Sequence, residues 1–534
     1  MSVAITFPER QLSDGMTRRL SRAVSVCLVF SLCLASGCAA QPSRLGTIDF
    51  PTSGSASAQP HFIRGVLFVH SFEYDSAAHE FRVAQRLDPG FAMAYWGEAM
   101  TYTHPVWDEQ DAAAGRKALA RLAPTREARK ARAPTPREQT YLDAVEILYS
   151  DGSKPRRDTL YSSAMERIAK AYPPDMEAQA FHALSLLGLN QGIRDMPTYL
   201  RAGAIAEEVF RRNPDHPGAA HYIIHAYDDP THAPKGLPAA RAYSKIAPGA
   251  AHAQHMTTHI FLAMGMWDDV VTQNEIASGH HDAWTANHYT LWLNYAYLQQ
   301  GRYADARRMI DMIREHMGAK VGRGMWALTE MRARYVVDTE NWDVPAAWAT
   351  DVDQLGADGR AAWALVTGLG AARRGDREGI TRALKAESTA RLVRASANAD
   401  PASDIDELEL KALARLSEGA KDEAVALMRQ ATGLEDAMPV DYGPPGLFKP
   451  THELLGEMLL QIGRAKEAQT EFRRALTLAP KRARSLLGLG RASVAAGDKA
   501  SASEAHSTLR AIWHKADPAQ AALVNKAPIG ESSR

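Results

Sequence analysis

A set of intervals that occurs near both ends of the chain constrains its fold more than any other feature. Glycine, alanine, an aromatic residue, alanine and proline follow one another at steps of 12, 4, 3 and 5 residues in two places. The two sets are Gly65, Ala77, Phe81, Ala84, Pro89 and Gly456, Ala468, Phe472, Ala475, Pro480. Small residues let two helices pack closely, and proline ends the second helix. Since one such hairpin cannot bury its apolar face alone, the units are predicted to stack into an all-α array.

These intervals resemble the tetratricopeptide pattern, in which the five residue types fall at positions 8, 20, 24, 27 and 32 of a 34-residue unit. In degenerate form the resemblance extends over roughly two-thirds of the chain. It implies a right-handed superhelix, an α-solenoid of helical hairpins, with a concave groove that binds partners. The whole chain also resembles bacterial tetratricopeptide lipoproteins of unsettled function, so the resemblance supplies a fold and no reaction.

The repeat register and shifts in composition divide the chain into consecutive segments. A signal peptide at 1–37 and a tether at 38–60 come first. The others are N-terminal units at 61–122, a Pro/Arg-rich linker at 123–136, central degenerate units at 137–300, further degenerate units at 301–438, a loop at 439–448, regular C-terminal units at 449–516 and a tail at 517–534.

The N-terminus has the layout of an export signal. Arginines precede an apolar run at 23–34 that is too short to cross a bilayer. The run ends in Leu-Ala-Ser-Gly-Cys38, which resembles the bacterial lipoprotein processing box and implies cleavage before Cys38 and lipidation of its thiol. Ala39 is not the aspartate that similar lipoproteins use for inner-membrane retention, so we expect the periplasmic face of the outer membrane. The alternative is an ordinary cleaved signal and a secreted periplasmic protein.

Charge and cysteine content exclude several function classes. Lys plus Arg and Asp plus Glu both number 62, which argues against a nucleic-acid binder. All three cysteines precede Ala39, so the folded body lacks a cysteine nucleophile and a cysteine-ligated zinc. The expected partners are therefore a protein or peptide in the groove and a lipid bilayer at Cys38.

Histidines are concentrated in the middle of the chain, with ten of the nineteen between His216 and His288. The tetratricopeptide register, set from prolines and glycines, places six of them at positions 2, 5 or 9 of three successive first helices. In the family these positions line the concave groove. The six are His221, His225, His252, His255, His259 and His288.

This pattern predicts a metal site. Two helices each carry His-x-x-x-His, and an i, i+4 pair directs both imidazoles to one side. Asp228 and Asp229, at positions 12 and 13 of the first unit, are candidate oxygen ligands. A histidine and carboxylate set suits zinc, iron, copper, nickel or manganese.

Two other interpretations remain open at this point. The histidines could form a polar groove that binds a peptide or small ligand without metal. They could also form a structural network between helices, although each buried imidazole then needs a donor and an acceptor satisfied. Further upstream, His70 and His104 occupy position 13 of successive units, and with Trp96 they are predicted to line a ligand groove.

The function expected from the sequence is a lipid-anchored periplasmic protein that binds a ligand or protein partner in a histidine-lined groove holding a metal. The alternatives are a histidine and carboxylate metalloenzyme, oxidative or hydrolytic, and a protein–protein scaffold without metal.

Overall fold

The computed structural model describes residues 44–189, 194–279, 285–318, 323–354, 356–394, 401–440 and 442–525. The predicted signal peptide and Cys38 lie outside the described residues. The compact unit considered below begins at Arg44.

Helices make up most of the described chain. In its first half they are α1 Gln59–His70, α2 Tyr74–Leu87, α3 Ala92–Met100, α4 Ala112–Ala120, α5 Arg126–Ala131, α6 Pro136–Leu148, α7 Lys154–Ala171, α8 Met176–Leu187, α9 Met196–Arg212, α10 Pro217–Ala226, α11 Ala233–Ile246, α12 Ala251–Ala263 and α13 Trp267–Gly279. In its second half they are α14 His288–Gln299, α15 Tyr303–Met317, α16 Arg323–Thr339, α17 Ala346–Asp353, α18 Gly356–Arg373, α19 Arg377–Arg394, α20 Pro401–Glu418, α21 Lys421–Ala437, α22 Thr451–Gln461, α23 Ala465–Leu478, α24 Ala483–Ala496, α25 Lys499–Ile512 and α26 Pro518–Asn525. A two-residue antiparallel ladder joins β1 Thr103–His104 to β2 Glu109–Gln110.

The helices pack as stacked hairpins. Nearly every helix contacts the next, and first helices of successive hairpins, such as α8, α10 and α12, contact one another. The glycines of the repeat pattern explain the close packing within a hairpin. A Cβ atom at Gly65 would lie 2.6 Å from the Phe81 ring, so this position must be glycine. Gly456 faces Phe472 in the same way, with 3.0 Å available. The predicted all-α solenoid is confirmed.

The C-terminal hairpins contact the central ones. The indole N–H of Trp513 donates to the carbonyl of Gln299 at 3.0 Å, and that of Trp267 donates to the carbonyl of Lys481 at 3.1 Å. Arg482 is buried between Glu453 and Asp338. These contacts hold the loop between α21 and α22 beside α12 and α14, which carry four of the six central histidines.

Two segments differ from the sequence-based division. Residues 44–58, predicted to be part of a tether, pack against the helices because Leu45 and Phe50 are buried. The Phe50 ring contacts those of Phe62, Trp96 and Tyr141. The predicted linker at 123–136 contains the short helix α5, which is joined to α6 by the ion pair of Arg129 and Glu146. Among the described helices, none is both long and apolar enough to cross a bilayer.

Candidate metal centre

Three first helices, α10, α12 and α14, bring the six central histidines together. The side chain of His216 begins α10 by accepting the N–H of Ala219 at 3.1 Å. A capping box between Asn287 and Thr290 begins α14 at His288. These caps set where α10 and α14 begin, and helical periodicity then determines which histidines share one face of a helix.

The histidines form two groups of the same construction. His221, His225 and His252 each offer one ring nitrogen, and these nitrogens lie within 4.8 Å of one another. His255, His259 and His288 do the same. Each group combines the i, i+4 pair of one helix with a histidine from the start of the next. The second group is thus the first group moved along by one repeat unit.

In the second group, which comprises His255, His259 and His288, hydrogen bonds fix the protons of two rings. The Nδ1–H of His255 donates to Oδ1 of Asn274 at 2.8 Å, and that of His259 donates to Oδ2 of Asp228 at 2.5 Å. The amide of Asn274 is oriented by its own donation to Thr258 at 3.3 Å. Each ring therefore presents a bare Nε2 lone pair, and these two atoms are 3.2 Å apart.

Two lone pairs facing each other repel, and either a shared proton or a bound metal ion between the two nitrogens removes this repulsion. Two nitrogens bound at about 2.0–2.1 Å to one tetrahedral ion lie about 3.3 Å apart, which matches the Nε2 separation. One ring nitrogen of the third residue, His288, lies within 4.8 Å of the nitrogens that His255 and His259 contribute.

In the first group, His221, His225 and His252, a hydrogen bond fixes the proton of one ring, and a neutral His225 can donate its Nε2–H to that ring. The Nδ1–H of His221 donates to the carbonyl of His70 at 2.7 Å, which leaves its Nε2 as an acceptor 3.0 Å from Nε2 of His225. Nε2 of His252 is buried and has no hydrogen-bond partner among the described residues. Ring nitrogens in this group are therefore also available as ligands.

Burial favours the neutral form of four of these imidazoles. It lowers the pKa of His221 to about 3 and the pKa values of His225, His252 and His255 well below 6.5. A neutral imidazole is the form that binds a metal ion.

The two aspartates predicted as oxygen ligands have other roles. Asp228 accepts from Nδ1 of His259 and so orients that ring from behind. Asp229 caps the following turn through the N–H groups of Thr231 and His232, and it lies 2.8 Å from the ring of His232. Neither carboxylate belongs to the two groups of converging ring nitrogens, so the candidate ligands in these groups are nitrogens alone.

A chamber of about 740 Å³ opens next to both groups. His225, His252, His259 and His288 reach its wall. Four aromatic residues and two carboxylates complete much of the lining, and no described lining residue is a lysine or arginine. These six are Phe72, Trp107, Tyr289, Tyr442, Glu73 and Glu109.

The upstream groove predicted from His70, Trp96 and His104 is not a separate site. Trp96 is buried in the aromatic core, so it lines no groove. His70 is fully buried and bonded on both nitrogens. His104 is partly exposed and stacks on Tyr74, with ring centroids 4.1 Å apart, beside the Trp107 rim of the chamber.

A third cluster of residue types that can bind metal, His70, Glu177 and His216, has a structural role. His70 and His216 donate from Nε2 to the two oxygens of Glu177 at 2.7 and 3.0 Å. The Nδ1 atoms accept from Tyr222 and from the N–H of Ala219. With donor and acceptor satisfied on both rings, this buried network has no lone pair left for an ion.

Some residues of the site carry no recognisable signal in the sequence. Asn274 comes from the second helix of its hairpin, and Tyr442 comes from the loop before α22. Tyr289 follows His288 directly, and its ring lies 4.5 Å from that of His255.

Comparisons with known proteins gave one family match and several similar structures. The model of the Tetratricopeptide repeat family matches residues 450–482, which contain α22 and α23. Human IFIT1, in its dimer with m7Gppp-AAAA, is similar with a TM-score of 0.34 and 14% identity over 88% of this chain and 91% of that chain. Yeast Tom70 gives a TM-score of 0.32 and 12% identity over 88% and 99%. No curated protein sequence matches significantly.

Proposed function

Since residues 450–482 match the Tetratricopeptide repeat family and the chain folds as stacked helical hairpins, we propose that it is an exported protein whose histidine chamber binds a transition metal and offers it to a ligand. The observation that supports this most strongly is the pair of Nε2 atoms of His255 and His259, 3.2 Å apart with both Nδ1 protons held elsewhere. A chamber large enough for a small molecule lies next to this pair.

The donor atoms that the protein supplies limit which metals suit the site. Six imidazoles without a direct carboxylate suit zinc, copper(II), nickel or iron(II) better than manganese, which prefers oxygen ligands. Three protein ligands in each group leave coordination positions open, as in catalytic zinc sites. The second candidate function is therefore a metalloenzyme, favoured by the chamber that adjoins these open positions.

Protein binding is the function that the repeats themselves support, since stacked hairpins present extended concave surfaces. For location we propose lipid anchoring at Cys38 on the periplasmic face of the outer membrane. The support is the apolar run at 23–34 and the small residues that precede the cysteine. Labelling of the wild-type chain with a clickable fatty acid, and loss of the label in Cys38→Ser, would be the expected result. Equal labelling of the variant would overturn the anchor.

Elemental mass spectrometry tests the metal proposal. The untagged chain from residue 39 is compared with His255→Ala/His259→Ala and with the control His79→Ala, whose side chain is exposed. We expect the wild type and control to retain metal after dialysis and the double variant to lose the metal of the second group. Wild-type protein that retains no metal after exposure to zinc, copper, nickel and iron salts would refute the proposal.

A further inference from the structure

The two histidine groups lie side by side along the solenoid. The rings of His225 and His259 have centroids 6.1 Å apart, and those of His252 and His255 are 6.3 Å apart. One unpartnered buried nitrogen, Nε2 of His252, belongs to the first group, and the opposed Nε2 atoms of His255 and His259 belong to the second. Each group therefore has at least one buried ring nitrogen whose lone pair is available to a metal ion.

We propose that the six histidines form a dinuclear centre, with one ion in each group, and that the shared chamber takes a phenol or catechol as ligand to it. This inference rests on the proposed metal binding and goes beyond it in the number of ions and the class of ligand.

The presence of two three-histidine groups in successive repeat units supports two ions. A single ion would leave either the Nε2 of His252 or the facing Nε2 atoms of His255 and His259 without an ion, and an unsatisfied buried polar atom is costly in a low-dielectric interior. Two ions satisfy both sets. Histidines of both groups line one chamber, so the open positions of both ions face the same space.

The chamber wall supports an aromatic ligand. Phe72 and Trp107 meet at 5.3 Å between ring centroids, and the ring of Tyr289 lies over His255 at 4.5 Å. Flat rings pack well against such faces and edges. The volume of about 740 Å³ is ample for a substituted phenol.

The charge of the residues that line the chamber favours a neutral phenol over an anion such as phosphate. Glu73 and Glu109 line the chamber, and no lysine or arginine does so among the described lining residues. A ligand that is neutral in solution avoids repulsion by these carboxylates. A phenol arrives neutral, transfers its hydroxyl proton to the solvent on binding, and leaves a phenolate oxygen as the donor atom to the ions.

The number of ions is tested with copper(II) alone. We expect two ions per wild-type chain, and one per chain in each of the variants His252→Gln and His288→Gln, which remove one ligand from different groups. Two copper(II) ions that share a bridging oxygen couple magnetically, so the wild type should give much less electron paramagnetic resonance signal per copper than either variant. Circular dichroism checks that both variants are folded. If a glutamine variant is unfolded, the asparagine variant at the same position, His252→Asn or His288→Asn, is used in its place.

The possible copper-binding results distinguish failure of the dinuclear centre from failure of the proposed metal binding. Wild-type protein that binds no copper refutes both. One ion per chain, or two ions with the full signal of isolated copper, refutes the dinuclear centre and leaves metal binding intact.

The ligand class is tested with 4-nitrocatechol, whose absorption changes on metal binding, at a pH below its first pKa so that the free probe is uncharged. We expect it to bind the copper-loaded protein at least tenfold more tightly than benzoate or inorganic phosphate, and the metal-free protein not measurably. Trp107→Ala should weaken binding by about tenfold. Trp326→Ala is the matched control, because Trp326 is 39% exposed, Trp107 is 40% exposed, and Trp326 lies outside the chamber. Phosphate binding as tight as that of 4-nitrocatechol, or equal effects of the two tryptophan variants, would overturn the assignment.

Discussion

Nδ1 of His259 lies 2.5 Å from Oδ2 of Asp228, and the two residues belong to successive repeat units. The contact fixes the ring so that Nε2 faces His255. A carboxylate behind a metal-binding histidine also raises the basicity of the ligand. Since the other oxygen of Asp228 has no hydrogen-bond partner among the described residues, this bond is the main function that the structure gives the side chain.

Asp228→Asn should weaken metal binding by about 10- to 100-fold, because the amide lacks the charge and can present its NH₂ group to the ring. Competition with a chromophoric chelator at pH 7 measures the change. Asp75→Asn is the control, since Asp75 is exposed. Unchanged affinity in Asp228→Asn would show that the contact does not support a metal ligand.

Glu177→Gln should lower the free energy of unfolding by about 1–3 kcal/mol, because the buried carboxylate accepts from His70 and His216 and an amide cannot accept from both equally well. Metal content at saturation should not change, since neither ring has a lone pair available. Urea denaturation and elemental analysis of the same samples check both statements. Loss of bound metal with unchanged stability would make this network a metal site instead.

His182 provides a pH-dependent stability test away from the metal centre. Burial lowers its pKa to about 4, and its Nε2 has no hydrogen-bond partner among the described residues. Below about pH 6.5 the unfolded chain binds a proton here that the folded chain does not, so the free energy of unfolding falls as the pH drops towards 4.

His182→Leu should therefore lose about 1 kcal/mol less stability than the wild type between pH 7 and pH 5. Urea denaturation of metal-free protein at each pH gives the comparison, with exposed His79→Gln as the control. A parallel decline in His182→Leu and the wild type would contradict the neutral, buried state of this ring.

Two glycine variants test the packing that defines the repeat. Gly65→Ala should destabilise the protein by about 1–3 kcal/mol, since the new Cβ would lie 2.6 Å from Phe81. Gly433→Ala, in helix α21 with open space around its Cα, should stabilise by about 0.5–1 kcal/mol. Thermal unfolding distinguishes them, and equal shifts would contradict the close packing of α1 on α2.

The sequence predicted the hairpins because the contact between Gly65 and Phe81 needs fixed intervals along the chain. It predicted that the six histidines lie close together because helical spacing determines which side chains share a face. It could not predict that Asp228 and Asp229 belong to neither group of ring nitrogens, since that depends on the backbone of the turn after Ala226. Tyr442 lies in the site only because distant hairpins contact each other, and the repeat periodicity does not predict such contacts.

The most direct test of the metal centre is X-ray absorption spectroscopy of the zinc-loaded chain. We predict about three imidazole nitrogens per ion at about 2.0–2.1 Å, reduced in His255→Ala/His259→Ala. A first shell of oxygen atoms without imidazole scattering, or a spectrum identical in that variant, would contradict the assignment of these histidines as ligands.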